Sequence, residues 1–280
     1  MQSILEILNK TSAYFESKGI ETAKLDAQIL LAHVMDCKRL ELFLHFEDPI
    51  VPAKLDEFRE IVRRRAKREP LQHILGFVDF FNLKLKCDSR ALVPRAETEY
   101  LCELLVEKYL AKKAESEFSI LELGIGSGAI SLSLKNQFPN ARVVGVDVSQ
   151  EALALAKENA KNLNLDVEFV QSDWFENVSG MFDLIVSNPP YLSEAEVESA
   201  QPEVKDFDPI SALRSGENGI CDLRKIFFSA IDYLNSDGLL ACECGLGQPE
   251  KLAKEFRDKY TSVDVENDLS QRTRYIFAKL

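Results

Sequence analysis

Asn188-Pro189-Pro190-Tyr191 is the segment of this chain whose residue types carry the most chemistry. A residue before proline is pushed to extended backbone, and two prolines fix two successive φ angles, so the tetrapeptide is rigid. Its prolines bring no N–H that would occupy neighbouring carbonyls. A planar nitrogen, whether of an amide or an aromatic amine, is a poor nucleophile because its lone pair is delocalised. Two acceptors, Asn188 Oδ1 and the Pro189 carbonyl, can take both hydrogens of such an NH₂ and aim the lone pair at an electrophilic carbon. Tyr191 can pack against the planar group. Asn188, Pro189 and Tyr191 are therefore the expected catalytic residues, and Asn188 through Tyr191 the expected substrate site.

A second constellation specifies where the electrophile sits. Leu121-Glu122-Leu123-Gly124-Ile125-Gly126-Ser127-Gly128 reads as the end of a strand, a turn and the start of a helix. Glycines there let backbone amides approach a ligand closely. Nineteen residues beyond Gly128, the run Val143-Val144-Gly145-Val146-Asp147 closes a second strand on a carboxylate suited to the two hydroxyls of a ribose. The spacing is GxGxG, not the GxGxxG of pyrophosphate-binding folds, so the ligand is a nucleoside without phosphate. Asp173 and Trp174, just past a third strand, fit an adenine clamp. Gly124, Gly126, Gly128, Asp147 and Trp174 are the expected cofactor residues, and S-adenosylmethionine, a sulfonium nucleoside, is the expected cofactor. No histidine base is required: His33, His45 and His73 all lie outside this half. No metal site is expected, because the six cysteines form no CxxC pair.

Positioning these residues needs strands that end at one edge. After Pro94 the pattern alternates helix and strand: a helix over Glu97–Lys112, strand Ser119–Leu123, a helix from Gly128, strand Arg142–Asp147, helix Gln150–Leu163, then strands at Val167–Gln171 and Phe182–Ser187. A helix at Asp222–Leu234, a strand at Leu239–Glu243, a helix at Pro249–Lys259 and strands near 262–266 and 273–279 follow. That alternation predicts an α/β fold with a mostly parallel sheet covered on both faces. Ligands bind such sheets at the carboxyl ends of the strands.

Residues 1–75 read differently, as a small helical bundle. Ile4, Leu5, Leu8 and Tyr14 mark a first helix ended by Gly19; Thr22 is placed to cap a second. A short third holds Leu40, Leu42 and Phe43, and Pro52 opens a fourth that runs into Arg63–Arg68 and stops at Pro70. Residues 76–95 are expected to be a β-hairpin linker, and 96–280 the catalytic domain.

Net charge is 34 − 46 = −12, unevenly spread: residues 1–90 carry 15 basic and 14 acidic side chains, residues 91–280 carry 19 and 32. An acidic catalytic part is a poor platform for polyphosphate chains, so no direct nucleic-acid binding is expected. It suits a cationic cofactor. No apolar run approaches the ~18 residues a membrane span requires, and Met1–Lys10 lacks the features of a secretory leader. Reduced thiols and a cytoplasmic location are expected. The basic run Arg63–Arg68 reads either as a solvated helix face or as a patch that steers a partner bearing acidic groups.

With these residues in hand, the chain resembles the HemK-type glutamine methyltransferases that modify peptide-chain release factors. The resemblance is carried, in the family's order, by Pro70–Gly76, by Leu92-Val93-Pro94-Arg95-Ala96-Glu97-Thr98-Glu99, by the glycine loop and by Ser172-Asp173-Trp174-Phe175. It continues through Asn188–Tyr191, Glu243-Cys244-Gly245-Leu246-Gly247-Gln248, and Asp268-Leu269 with Arg272 and Arg274. The sequence departs from the family at Ala96, at Glu122 in place of an aspartate, and at Ser270-Gln271 in place of a small Ala-Gly pair. The resemblance implies a Rossmann-like class I methyltransferase sheet, a substrate-recognising N-terminal helical bundle and S-adenosylmethionine, held by Gly124, Ile125, Gly126, Ser127, Gly128, Asp147, Trp174 and Asn188. It also implies, as substrate, the glutamine of the Gly-Gly-Gln loop of a class-1 release factor. The alternatives are a glutamine methyltransferase of a ribosomal protein, a nucleic-acid amino-methyltransferase, a non-catalytic nucleoside-binding module and, with its different glycine spacing, a dehydrogenase.

Overall fold

The computed structural model describes residues 2–110 and 117–280. Its helices are α1 (Ile4–Ser17), α2 (Ala23–Met35), α3 (Pro52–Ala66), α4 (Leu71–Leu75), α5 (Ala96–Leu104), α6 (Ala129–Gln137), α7 (Gln150–Leu163), α8 (Glu194–Ser199), α9 (Pro202–Lys205), α10 (Cys221–Ser229) and α11 (Gln248–Phe256). Its strands are β1 (Phe77–Phe80), β2 (Leu83–Lys86), β3 (Ser119–Leu123), β4 (Arg142–Asp147), β5 (Glu168–Gln171), β6 (Phe182–Ser187), β7 (Leu234–Glu243), β8 (Ser262–Asn267) and β9 (Thr273–Lys279). Two compact units result: Met1–Phe77 with Gln201–Phe207, and Val78–Ala200 with Asp208–Leu280.

The first unit is helical. α1 begins where Ser3 accepts a hydrogen bond from the Glu6 amide and buries Ile4, Ile7, Leu8 and Phe15 at helical spacing. These pack with Ala27, Leu30, Leu31, Val34 and Phe58. Thr22 stands at the start of α2 but makes no side-chain cap bond. Pro70, expected only to stop a helix, instead begins the short α4, which buries Ile74. Arg63–Arg68 is largely an internal scaffold. Arg65, 5% exposed, pairs with buried Asp26 at 2.7 Å and with Glu203 at 2.8 Å. Arg68 also pairs with Glu203, Arg64 with Glu69, and exposed Arg63 with Glu60. Glu203 lies on α9, so these pairs tie a segment from far along the chain into the helical unit. Removing one member of a buried pair costs about 3–5 kcal/mol. Reversing Arg63, Arg64 and Arg65 together therefore attacks the unit's stability, not merely its surface potential, and the steering role expected of the run does not fit Arg65.

The second unit holds a seven-stranded sheet in the order β5-β4-β3-β6-β7-β9-β8. The five strands from β5 to β7 pair in parallel, and β9 runs antiparallel to both β7 and β8. Strands β3, β4 and β6 are nearly continuous buried apolar runs, as strands covered on both faces require. Their alternate residues feed two cores. Ile120, Leu184 and Val186 pack with Leu101, Ile130 and Leu134, while Leu121, Leu123 and Ile185 pack with Ile226, Phe227 and Leu252 on the opposite side. Helix α5 passes into a π-turn over Leu105–Tyr109; the last residues of the helix expected there, 111 and 112, lie outside the described residues. β1 and β2 form the expected hairpin through a two-residue turn, Phe81-Asn82, with φ of 46° and 64°. Among the described residues no helix is long and apolar enough to cross a membrane. All six cysteines are free thiols.

Candidate active site

Strands β3, β4 and β6 end side by side, and the loops leaving them enclose a cavity of about 350 Å³. Gly124, Ile125, Gly126, Ser127, Asp147, Trp174, Asn188 and Pro190 line it, together with Glu122, Thr98, Asp173, Asp222 and Lys225. The acceptor tip and the glycine loop thus share one space. Gly128 does not reach it. A Cβ there would lie 3.0 Å from Leu132 and 3.4 Å from Ala156, so this glycine serves helix packing, not ligand contact. Ile125 contributes backbone, because its side chain is buried over Gly145, where a Cβ would meet Ile125 Cδ1 at 2.0 Å.

The cavity fits a cationic nucleoside. Gly126, at φ 54°, turns its amide onto Asp147 Oδ2 at 2.9 Å, while Asp147 Oδ1 accepts from the Ser149 amide. Ser149 itself caps α7 through the Ala152 amide, which frees Asp147 from that duty. Each carboxylate oxygen keeps a lone pair for a ribose hydroxyl. Burial pushes the Asp147 carboxyl up, against the pull of three backbone amides. Glu122, fully buried, accepts the Ser131 amide at 2.7 Å in the first turn of α6 and is pushed up to about 8 by desolvation. The helix end that would hold a phosphate in a dinucleotide fold is here taken by a carboxylate from the chain itself. With Glu122 holding its proton, three carboxylates (Asp147, Asp173, Asp222) stand against two cations (Arg90, Lys225) in the lining, which favours a positive ligand. Trp174, at φ 47°, faces Gly124 across the floor: a Cβ on Gly124 would sit 3.8 Å from Trp174 Cζ3. Asn159 of α7, 1% exposed, donates to the carbonyls of Ser127 and Lys86 and accepts the Lys86 amide, so it ties the glycine loop to the hairpin.

The other end of the cavity is shaped by side chains from distant elements. Asn188 donates through Nδ2 to Thr98 Oγ1 of α5 at 2.9 Å, and Thr98 donates to Glu243 Oε2, at the end of β7, at 2.7 Å. Tyr191 donates its phenol to Glu243 Oε1 at 2.9 Å and accepts from Arg274 Nη2 of β9 at 3.0 Å. The Arg274 guanidinium also lies 5.2 Å from the Tyr191 ring centroid. Tyr191, expected to face the acceptor group, is thus held in a buried polar cluster, and neither it nor buried Pro189 contributes to the cavity lining. The Tyr191 carbonyl accepts from Gln248 Nε2 at 2.9 Å, and a Cβ on Gly219 would lie 2.2 Å from it. Gly219 closes a left-handed turn with Glu217 and Asn218 at φ 52° and 56°, strain that holds the exit of the rigid segment in place.

Thr98, Glu243, Arg274 and Gln248 received no role from the sequence alone. The available signal was Glu243, a charge ending the apolar strand Leu239-Leu240-Ala241-Cys242, at the edge where ligands bind.

The arrangement has known counterparts. A family model described as the PrmC N-terminal domain matches residues 6–76, and one described as the Methyltransferase small domain matches residues 96–203. The release factor glutamine methyltransferase of Geobacter sulfurreducens is 40% identical over 255 residues, covering 91% of this chain and 88% of its own. That of Deinococcus radiodurans is 38% identical over 274 residues, covering 98% and 97%. Among solved structures, the human METTL16 catalytic domain in complex with an RNA hairpin superposes with a TM-score of 0.59 at 15% identity, over 78% of this chain and 81% of that one. A methyltransferase from Pyrococcus furiosus gives 0.53 at 20% identity, over 71% and 89%. The latter two show the class I methyltransferase fold; the identity across nearly the whole length of the former two shows that this chain is a member of the release factor glutamine methyltransferase family.

Proposed function

We propose that this protein transfers the methyl group of S-adenosylmethionine to the side-chain amide nitrogen of the glutamine in the Gly-Gly-Gln loop of a class-1 peptide-chain release factor. The observation that carries this reading is one cavity in which Asn188 and Pro190 stand beside Gly124, Gly126, Asp147 and Trp174. When bound, the cofactor supplies a methyl group activated by its sulfonium charge. Asp147 would accept the ribose hydroxyls, Trp174 would stack on the adenine, and the backbone from Gly124 to Ser127 would hold the rest of the molecule. Gly128 supports that backbone from behind.

Asn188 Oδ1, in the lining, accepts one N–H hydrogen of the glutamine amide, and the carbonyl of Pro189, whose residue lies just behind that lining, accepts the other, which turns the lone pair toward the methyl carbon. The N–CH₃ bond would form as the S–CH₃ bond breaks, S-adenosylhomocysteine leaving and the nitrogen giving up one N–H proton to water; fixed dipoles would stabilise the positive charge that grows on the nitrogen, and alignment would replace the work of a strong base. Pro190 and Tyr191 complete the substrate site, Tyr191 by keeping the far end of the segment anchored to Glu243 and Arg274. In domain terms, residues 1–75 recognise the release factor, 76–95 link, and 96–280 catalyse. The enzyme works in the cytoplasm, where release factors act, and contacts neither membrane nor nucleic acid directly.

The test is direct. The protein is incubated with S-adenosylmethionine labelled in the methyl group and with a release factor, in parallel with a loop variant carrying Gln→Ala. Label on the unmodified factor alone supports the assignment; label on both proteins, or on neither, overturns it.

A further inference from the structure

Glu243 is the last residue of β7 and is wholly buried, yet it is a carboxylate. Burial pushes its proton affinity up, and Thr98, Arg274 and Tyr191 pull against that rise. Arg274 Nη2 stands 3.6 Å from Glu243 Oε1. Each carboxylate oxygen takes one hydroxyl, Oε2 that of Thr98 and Oε1 that of Tyr191.

These bonds have a direction. With Arg274 beside it and the Tyr191 phenol donating to Oε1, Glu243 acts as a carboxylate, which only accepts, so Thr98 must spend its single proton on Oε2. The Thr98 oxygen can then only accept from its second neighbour, Asn188, which must offer Nδ2–H. A carboxamide carries NH₂ on one arm and oxygen on the other. With the NH₂ arm committed to Thr98, the arm left for the acceptor nitrogen is Oδ1. Were the chain reversed, with Thr98 donating to Oδ1, Asn188 would present N–H to the N–H of a glutamine amide and could not hold it.

We propose that Glu243, acting through Thr98, is a positioning residue that sets which arm of Asn188 faces the substrate. The inference rests on the reading above, in which Asn188 Oδ1 accepts a substrate N–H. The same carboxylate anchors Tyr191, so one buried charge orients both ends of the Asn-Pro-Pro-Tyr segment.

Replacement of Thr98 by valine keeps the side chain's volume and removes the hydroxyl that transmits the direction. Kinetics are measured on the full-length protein with release factor and labelled cofactor, alongside cofactor affinity by titration calorimetry and thermal melting. Thr98→Val lowers kcat about 10- to 100-fold, the size typical of removing a residue that orients a catalytic ligand, while cofactor affinity stays at the wild-type value. Thr98→Ser, which keeps the hydroxyl, restores most of kcat. Glu243→Gln also lowers kcat, and because both act through Asn188 the Thr98→Val/Glu243→Gln double variant falls no further than the more impaired single variant. Full-rate Thr98→Val, losses that multiply in the double variant, or a Thr98→Ser protein as slow as Thr98→Val would each overturn the proposal. If Glu243→Gln melts before assay, the Thr98 pair decides alone. A wild-type protein that fails to label the glutamine sinks the underlying function; a labelling wild type with an unimpaired Thr98→Val sinks only this inference.

Discussion

At the glycine-loop end of the cavity, the polar groups that set its shape come from a short stretch of chain, largely from backbone: the amides of Gly126, Ser131 and Ser149 with the carboxylates of Glu122 and Asp147. At the Asn188 end they are side chains brought from residues 98, 188, 191, 243 and 274, on three strand ends and one helix. The first end is built mainly within one β3-α6-β4 unit, short in sequence, and needs little more than that pair of strands to form. The second exists only once the sheet is assembled. Damage at the first end is therefore expected to appear in cofactor affinity or stability, and damage at the second in turnover.

The sharpest test of that contrast is Asn188→Ala. Loss of one preorganised group that acts on the transition state lowers kcat by about 10²–10³-fold, while cofactor affinity by calorimetry is little changed. Parallel losses in both would place Asn188 at the cofactor end and break the comparison. Asp147→Ala gives the converse pattern. Losing hydrogen bonds to a charged group costs about 1.5–3 kcal/mol, read as a 10- to 100-fold rise in cofactor Kd with kcat at saturating cofactor retained.

Gly145→Ala strikes the support of the glycine loop. The new Cβ would stand 2.0 Å from Ile125 Cδ1, and overpacking of this kind costs roughly 1–3 kcal/mol, visible as a lower melting temperature. Ile125→Ala in the same chain recovers part of the loss.

Glu122 supplies a pH signature. Its folded-state pKa lies near 8, raised by burial from the ordinary value of 4.5. The folded protein therefore binds a proton that the unfolded chain releases, and the associated stability is present below about pH 4.5 and lost as pH rises through 8. Denaturation curves across that window fall by up to about 1.4 kcal/mol per pH unit from this group, and Glu122→Gln flattens them. An unchanged slope would show that the site is open to water.

The smallest effect is expected at Gln271, whose φ of 61° sits in a turn braced by Asp268, which accepts the Ser270 and Arg272 amides. The family places a glycine in this region. Gln271→Gly relieves left-handed strain and raises stability by at most about 1 kcal/mol, with kcat unaltered if the turn merely delivers β9 and its Arg274.

Much of the cofactor end is legible in the amino-acid sequence, because its parts sit next to recognisable strand ends. The glycine run after Leu121-Glu122-Leu123 and Asp147 at the close of its strand declare their positions by periodicity and spacing. Gly128 shows the limit: the motif names it, but only its packing against Leu132 and Ala156 reveals that it serves the helix. Arg65 shows the same limit from the other side. A run of cations reads as surface, and nothing local announces that Asp26 and Glu203 will enclose one of them.

The amino-acid sequence by itself determined the α/β alternation and the identity of the rigid acceptor segment, since each follows from local pattern: the period of apolar residues, glycine at turns, proline at φ. Tertiary structure alone decided what orients that segment. Strands β3, β6, β7 and β9 must lie in that order before Glu243 and Arg274 can reach Tyr191, and α5 must cross the same edge before Thr98 can meet Asn188. Hydrogen bonds of about 3 Å between residues separated by 52 to 145 positions depend on that assembly and leave no periodic trace in the chain.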